Sequence, residues 1–497
     1  MERVAPRQVA YENQLPLAIE SKSQRRKFFP EGATTYGPNG NANGHPNIIR
    51  IPINADSLLD TQHSYLQFTI NNLDGARTMG FDTGIPWLKR IRIESAGTTL
   101  EDIDNYNKLF GAVLFPSQAS VGAVNEYSLA GMGVGTNTAL TDLAAGAGGA
   151  AAGQIANSAF AAGAAGNPTD NELQTEVDRL RDGIIAAFNT RTAASIAGAS
   201  HDANDTLSVS GGATPSKTFN VCLHTGLLNL EKYLPLVMMN AGLVLELEVD
   251  NANAIGITDG AADCDFSITD VAYYAHLIDL QRDFYDRLRM VMEGSGGVLQ
   301  LTGTTFRTYQ SNFAAGAATT YNMSIPARMK SIKSIFFTHT RNDRRFARDF
   351  YGIGGCLANG VSEFQFRVGS VVYPAQAVKA SEANPSEAYQ ELRKAFGSLG
   401  SLIHGGVLLN ATSYYSDADI DHAQAGNVYR FTPYGLDFES FPKTTLENGI
   451  NSADRSLPIT LEMKRNGGLN QAIDVDAFVM CDAVWYVNLD GSVSVSV

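Results

Sequence analysis

Leu243, Leu245, Leu247 and Val249 alternate with Val244, Glu246 and Glu248, and this two-residue period is what restricts the chain most. Successive side chains of a strand point to opposite faces, so such a run offers one apolar and one polar face, as a half-buried strand does. Residues 64–70 follow the same rule, with Leu66, Phe68 and Ile70 on one face and Asp74-Gly75 as a turn signal soon after. The pattern returns in 304–309, 321–325, 333–338, 363–368, 459–463 and 473–489. Asn359-Gly360, Asn448-Gly449, Asn466-Gly467 and Asp490-Gly491 punctuate that second half, and such dipeptides tolerate the positive φ angles of tight hairpins. A chain written this way predicts antiparallel sandwiches of the jelly-roll kind rather than an alternating strand-helix fold.

Helical patterning is confined to short stretches. Phe284, Leu288 and Met292 recur four apart within 281–293, which predicts an amphipathic helix closed by Gly294-Ser295-Gly296-Gly297. Asn384 as a cap, Pro385 in the first turn and Glu387 beyond it predict a second helix with Tyr389, Leu392 and Phe396 on one face. A third candidate starts at the capping-box pair Thr169 and Glu172 and carries Leu173, Val177, Leu180, Ile184 and Phe188. It lies in an Ala/Gly-rich stretch, 117–216, whose small side chains bury little apolar area.

At 497 residues the chain exceeds the roughly 250–300 residues one core supports. The glycine cluster at 294–297 marks the division. The organisation expected is an N-terminal arm, 1–45, then a first β-domain, 46–280, with the 117–216 insertion, then a second, 281–497. The arm differs in charge, with six basic residues against four acidic ones, while the whole chain carries a formal charge of -14. A surface that acidic excludes general attachment to nucleic acid. Cys222, Cys264, Cys356 and Cys481 stand singly, a spacing that suits neither a zinc site nor a disulfide framework. They read as reduced, mostly buried thiols. No secretory leader and no apolar run long enough to span a membrane is legible, so the Asn204, Asn322 and Asn410 glycosylation patterns count as coincidental.

Searching for chemistry yields little. There is no phosphate-cradling P-loop, and Gly131-Met132-Gly133-Val134-Gly135 lacks the spacing and frame of a dinucleotide loop. Asp417-Ala418-Asp419-Ile420-Asp421 opens like a calcium loop, but His422 and Val428 stand where Gly and Glu are required. The eight histidines are dispersed, with no zincin or nucleophile-elbow motif. Glu101-Asp102-Ile103-Asp104 reads as an acidic strand-to-helix turn. No catalytic residue, metal or cofactor is expected. Two basic clusters remain. Lys22, Arg25, Arg26 and Lys27, followed by Phe28-Phe29, combine cations with aromatic rings as a segment gripping a polyanion or neighbouring subunit does. Arg341, Arg344, Arg345 and Arg348 form the other.

Several runs resemble double jelly-roll major capsid proteins of the adenovirus-type lineage, above all those of polinton-like viruses and virophages. They are 46–53 (Pro-Asn-Ile-Ile-Arg-Ile-Pro-Ile), 58–68, 91–107, Tyr233-Leu234-Pro235-Leu236, 305–309, 325–335, and Tyr373-Pro374 leading to Ser386-Glu387-Ala388-Tyr389. Together they span most of 46–497 in order, and the Ala/Gly-rich insertion is the main departure. The resemblance implies an all-β fold with minor helices, built as two consecutive eight-stranded antiparallel jelly rolls. It implies no enzyme but a subunit that forms homotrimeric, pseudo-hexagonal capsomers tiling an icosahedral shell around double-stranded DNA. Its partners would be further copies, penton and minor capsid proteins, and genome DNA or an internal membrane reached through the arm. Its place would be the virion capsid, with synthesis and assembly inside the host cell. Lys22, Arg25, Arg26 and Lys27 become candidate inner-shell contacts, and the arm would be dispensable for folding. The rival is a carbohydrate-binding or carbohydrate-cleaving β-sandwich protein. It needs a leader, a carboxylate pair and aromatic platforms, for which only Trp87 and Trp485 are available.

Overall fold

The computed structural model describes residues 21–41, 43–73, 78–80, 85–118, 208–210, 216–252, 265–294, 296–342, 359–381, 384–396, 432–440, 449–453, 458–469 and 471–497. Eight main strands frame the first sandwich, with short strands Thr35–Tyr36 and Leu234–Pro235 added to one sheet: β1 (Ser21–Phe28), β2 (Ile48–Ile53), β3 (Leu58–Asn72), β4 (Leu88–Ser95), β5 (Thr98–Ile103), β6 (Ser216–Val221), β7 (Leu243–Val249) and β8 (Phe266–Leu280). One sheet runs β1-β8-β3-β6 and the other β2-β7-β4-β5, all antiparallel. Eight more form the second: β9 (Val298–Phe313), β10 (Thr320–Ile325), β11 (Ile332–Arg341), β12 (Val361–Val368), β13 (Val371–Lys379), β14 (Tyr434–Asp437), β15 (Ile459–Arg465) and β16 (Ile473–Asn488). Its sheets run β9-β16-β11-β14 and β10-β15-β12-β13. Each half therefore pairs its first strand with its eighth, its third with its eighth and sixth, and its second with its seventh. That is the jelly-roll order, present twice.

The period-two pattern accounts for the strands it marked. In β7, Leu243, Leu245, Leu247 and Val249 are buried and Val244, Glu246 and Glu248 are half-buried. Helix α1 (Arg282–Gly294) links the sandwiches and buries Met292, and α2 (Pro385–Ala395) buries Ala388 and Leu392. Asn384 holds the capping position of α2 but its side chain makes no capping hydrogen bond. Cys481 is buried, which pushes its thiol up to about 12, whereas Cys222 is exposed against expectation, one residue past β6. Most of the 117–216 insertion with its helix candidate, Cys264, Cys356, the Asp417–Asp421 run, and Arg344, Arg345 and Arg348 lie outside the described residues.

The arm differs most from expectation. Residues 21–28 are the first strand of the first sandwich, paired along their length with β8 from Ser21↔Leu280 to Phe28↔Tyr273. Ser-Lys-Ser-Gln-Arg-Arg-Lys has no apolar alternation because β1 lies at a sheet edge with all seven side chains exposed, and only Phe28 enters the core. Removing residues 1–30 should consequently lower the melting temperature and expose the edge of β8 to aggregation. A truncated protein that melts like the full chain would show that β1 is dispensable for folding.

Strand direction sorts the connections. Those after the odd-numbered strands leave one end of each sandwich, and the two longest, 104–215 and 380–433, both follow a fifth strand. The opposite end holds two-residue turns at 96–97 and 369–370, the start of β1 and helix α1. Ala96 and Gly97 both take positive φ there, as a tight hairpin requires.

Candidate assembly surfaces

The acidic run 101–104 proves to be the joint between the sandwiches. Strand β5 carries Glu101 fully buried, where its two oxygens accept from the Gly226 and Leu227 amides at 2.8 and 3.0 Å and from Thr305 Oγ1 at 2.6 Å. Three donors offset the desolvation of one buried carboxylate. The Asp102 carbonyl accepts from Arg307 Nη1 at 3.1 Å and the Asp104 carbonyl from Thr308 Oγ1 at 2.6 Å. Partners advance together along β5 and β9, so those strands run in the same direction. At Gly226 any Cβ would lie 2.2 Å from the Thr304 carbonyl oxygen, so only glycine permits this approach.

Beyond β5 the chain turns through Asn105, at a positive φ of 50°, into a buried helical segment whose centre, Leu109–Leu114, is a π-helix. This segment delivers Lys108 into the second sandwich. Its Nζ lies 2.5 Å from Asp476 Oδ2 and 3.2 Å from Thr340 Oγ1, while Asn105 Nδ2 donates to Asp476 Oδ1 at 3.3 Å. Both charged side chains are almost fully buried, at 3% and 0% exposure. Trp485, fully buried, donates its indole N–H to the Leu100 carbonyl at 3.3 Å. Toward the short-turn end, Asn240 donates its amide to the Gly491 carbonyl and its side chain to the Asp490 carbonyl. The first sandwich's apolar core continues across this joint through Leu301, Phe478, Trp485 and Val487, while the second sandwich keeps its own core.

Sequence reasoning marked Glu101 only as part of an acidic turn and missed Lys108 and Asp476. Their partners stand more than 100 residues away, and nothing local distinguishes them from surface charges.

Lys22, Arg25, Arg26 and Lys27 are brought together on β1, but alternation divides them. Arg25 and Lys27 share one face, Lys22 and Arg26 the other. Arg341, at the end of β11, is the described member of the second cluster.

Several other polar groups have structural partners. His63 Nδ1 meets Asp60 Oδ2 at 2.8 Å, and His224 stacks on Phe110 with its pKa lowered by burial. The outer face of β2-β7-β4-β5 carries a ladder of charges: Arg50 and Arg92 with Glu94 and Glu246, Lys89 with Glu248, and Arg90 with Asp102 through two bonds of 2.7 and 2.6 Å. The second sandwich repeats the device, with Arg367 and Gln365 on Glu462 and Lys464 on Glu363. Those partners hold the Glu462 carboxyl below its ordinary range. Exposed pairs of this kind are worth little individually, but they keep the sheet face hydrated. Among the described residues no three His, Cys, Asp or Glu side chains are grouped to hold a metal. Trp87 and Trp485, the chain's two tryptophans, are both fully buried and serve no glycan platform.

No protein-family model matches the chain, and no curated protein matches its sequence. Solved structures do match in fold. PBCV-1 VP54, as fitted into a reconstruction of the virophage Sputnik, covers 98% of this chain with 99% of its own at 10% identity and a TM-score of 0.53. The Sputnik virophage structure is similar over 100% of this chain and 93% of that one, at 9% identity and a TM-score of 0.50. The Faustovirus major capsid protein is similar over 96% and 92%, at 9% identity and a TM-score of 0.51. At such identities the likeness is one of fold, and it extends over essentially the whole length of both chains.

Proposed function

We propose that this chain, which has the double jelly-roll fold of virophage and Faustovirus capsid proteins, is itself a viral major capsid protein. It acts by self-assembly rather than catalysis, as homotrimeric, pseudo-hexagonal capsomers tiling an icosahedral shell around double-stranded DNA. Its building units are two jelly rolls, 21–280 and 281–497, the first beginning at β1. Further copies are its principal partners, with penton and minor capsid proteins closing the lattice. Its place is the virion capsid, assembled inside the host cell.

The observation carrying this reading is the joint itself. Two sandwiches of the same strand order meet with β5 and β9 running the same way, and each contributes a different surface. A contact between unlike surfaces leaves one of each kind open, and repetition around an axis closes a ring. Three chains with two units each give six such units. The buried tryptophans remove the platforms that the carbohydrate-binding alternative needs.

Light scattering after gel filtration should give a mass three times that of the 53.2 kDa chain, and concentrated protein should form shells under the electron microscope. A monomer that forms no particles under any assembly condition would overturn the reading.

A further inference from the structure

Arg25 and Lys27 sit on a built face rather than a loose arm. The Arg25 guanidinium lies 4.8 Å and Lys27 Nζ 4.7 Å from the centroid of the same ring, Tyr274. Arg25 Nη1 also donates to Tyr65 Oη at 3.1 Å. Tyr65 and Tyr274 stack at 4.9 Å with an interplanar angle of 10°, and Tyr274 Oη donates to Gln67 Oε1 at 2.7 Å. His276 stands directly across from Arg25 in the β1–β8 register, and its ring is 6.3 Å from that of His63.

Two cations thus share one aromatic ring, and no described carboxylate pairs with either. The nearby Asp60 is engaged by His63. Each cation gains from the ring's π-face, yet two like charges held at one ring repel each other. An anion bridging them removes that repulsion at little entropic cost, because the rings already hold both heads in place. Their neighbours on β3 and β8, Tyr65, Gln67, His63 and His276, all carry polar groups. A face made to enter lipid would project apolar side chains instead.

We infer that the Arg25–Lys27 face of β1 binds the phosphodiester backbone of nucleic acid. This rests on the shell reading only for the source of the ligand, the enclosed genome. Binding by one copy is weak, since the chain's -14 charge repels a polyanion at long range. Many copies on the inner surface of a shell multiply it.

The test compares two variants that each lose two positive charges from one strand. Arg25→Ser/Lys27→Ser empties the tyrosine face, and Lys22→Ser/Arg26→Ser empties the other. Full-length wild-type protein and both variants are titrated into a fluorescein-labelled DNA duplex across a salt series, read by anisotropy, with melting temperatures measured alongside. The first variant should lose roughly tenfold in affinity at low salt, and its log-log salt slope should fall by about two. The second should keep most of the wild-type affinity. Equal losses in both would reduce the effect to unplaced charge and overturn the site. So would wild-type protein that ignores the duplex at low salt, or that binds phosphatidylglycerol vesicles instead. None of these results depends on capsomer assembly, so failure here leaves the mass and imaging tests standing.

Discussion

Asp476→Ala should cost about 3–5 kcal/mol of stability, the largest effect of any single charge removal described here. The reason is the ammonium it abandons. Lys108 is 3% exposed, and Thr340 Oγ1 at 3.2 Å would be its remaining described hydrogen-bond partner. Desolvating an ammonium without its counter-charge is far more costly than losing a surface pair. Lys108→Met should do similar damage by leaving the Asp476 carboxylate buried beside Asn105. The double variant Lys108→Met/Asp476→Leu should regain most of the loss, since apolar replacement of a whole buried pair is often neutral or better. Denaturant titration of all three variants measures this. Single variants costing under about 1 kcal/mol would mean that water reaches the pair, and that the joint is looser than its geometry states.

Trp485→Ala should be comparably severe, at about 3–5 kcal/mol, because it opens a cavity where two cores meet. The indole packs against Gly303, which also approaches Leu230, and belongs to the same apolar cluster as Leu301 and Val487. Trp485→Phe keeps most of that volume and removes chiefly the bond to the Leu100 carbonyl, so about 1 kcal/mol is expected. Hydrogen exchange adds a second readout. In Trp485→Ala, protection should fall in β5 of the first sandwich as well as in β9 and β16 of the second. Loosening confined to the second sandwich would show that the two halves unfold independently and that the joint does not couple them.

Much of the sandwich architecture was legible because buried strands must alternate. Residues 64–70, 243–249, 321–325 and 459–463 sit inside β3, β7, β10 and β15. Pro385 opens α2 and the glycine cluster closes α1, as local propensity requires. Strand β1 was not legible, for the same reason in reverse. An edge strand with both faces exposed needs no apolar residues, and pairing with β8 alone makes it a strand. The basic cluster was visible as composition, but its division into two faces required that pairing. The acidic run 101–104 was noticed too. Nothing in its four letters separates Glu101, buried beneath Gly226 and Thr305, from Asp102, half-exposed beside Arg90.

The sequence by itself determined the material: an all-β chain too long for one core and patterned for antiparallel sandwiches. Those properties follow from side-chain periodicity and backbone freedom, which act over a few residues. The tertiary structure decided where the first sandwich begins and how the two halves are fastened. It also decided which cations share a ring. Each depends on contacts between residues far apart in the chain, such as Arg25 with Tyr274, Glu101 with Thr305, and Lys108 with Asp476. Such contacts, and the burial that makes the charged ones decisive, arise only once the sheets have closed.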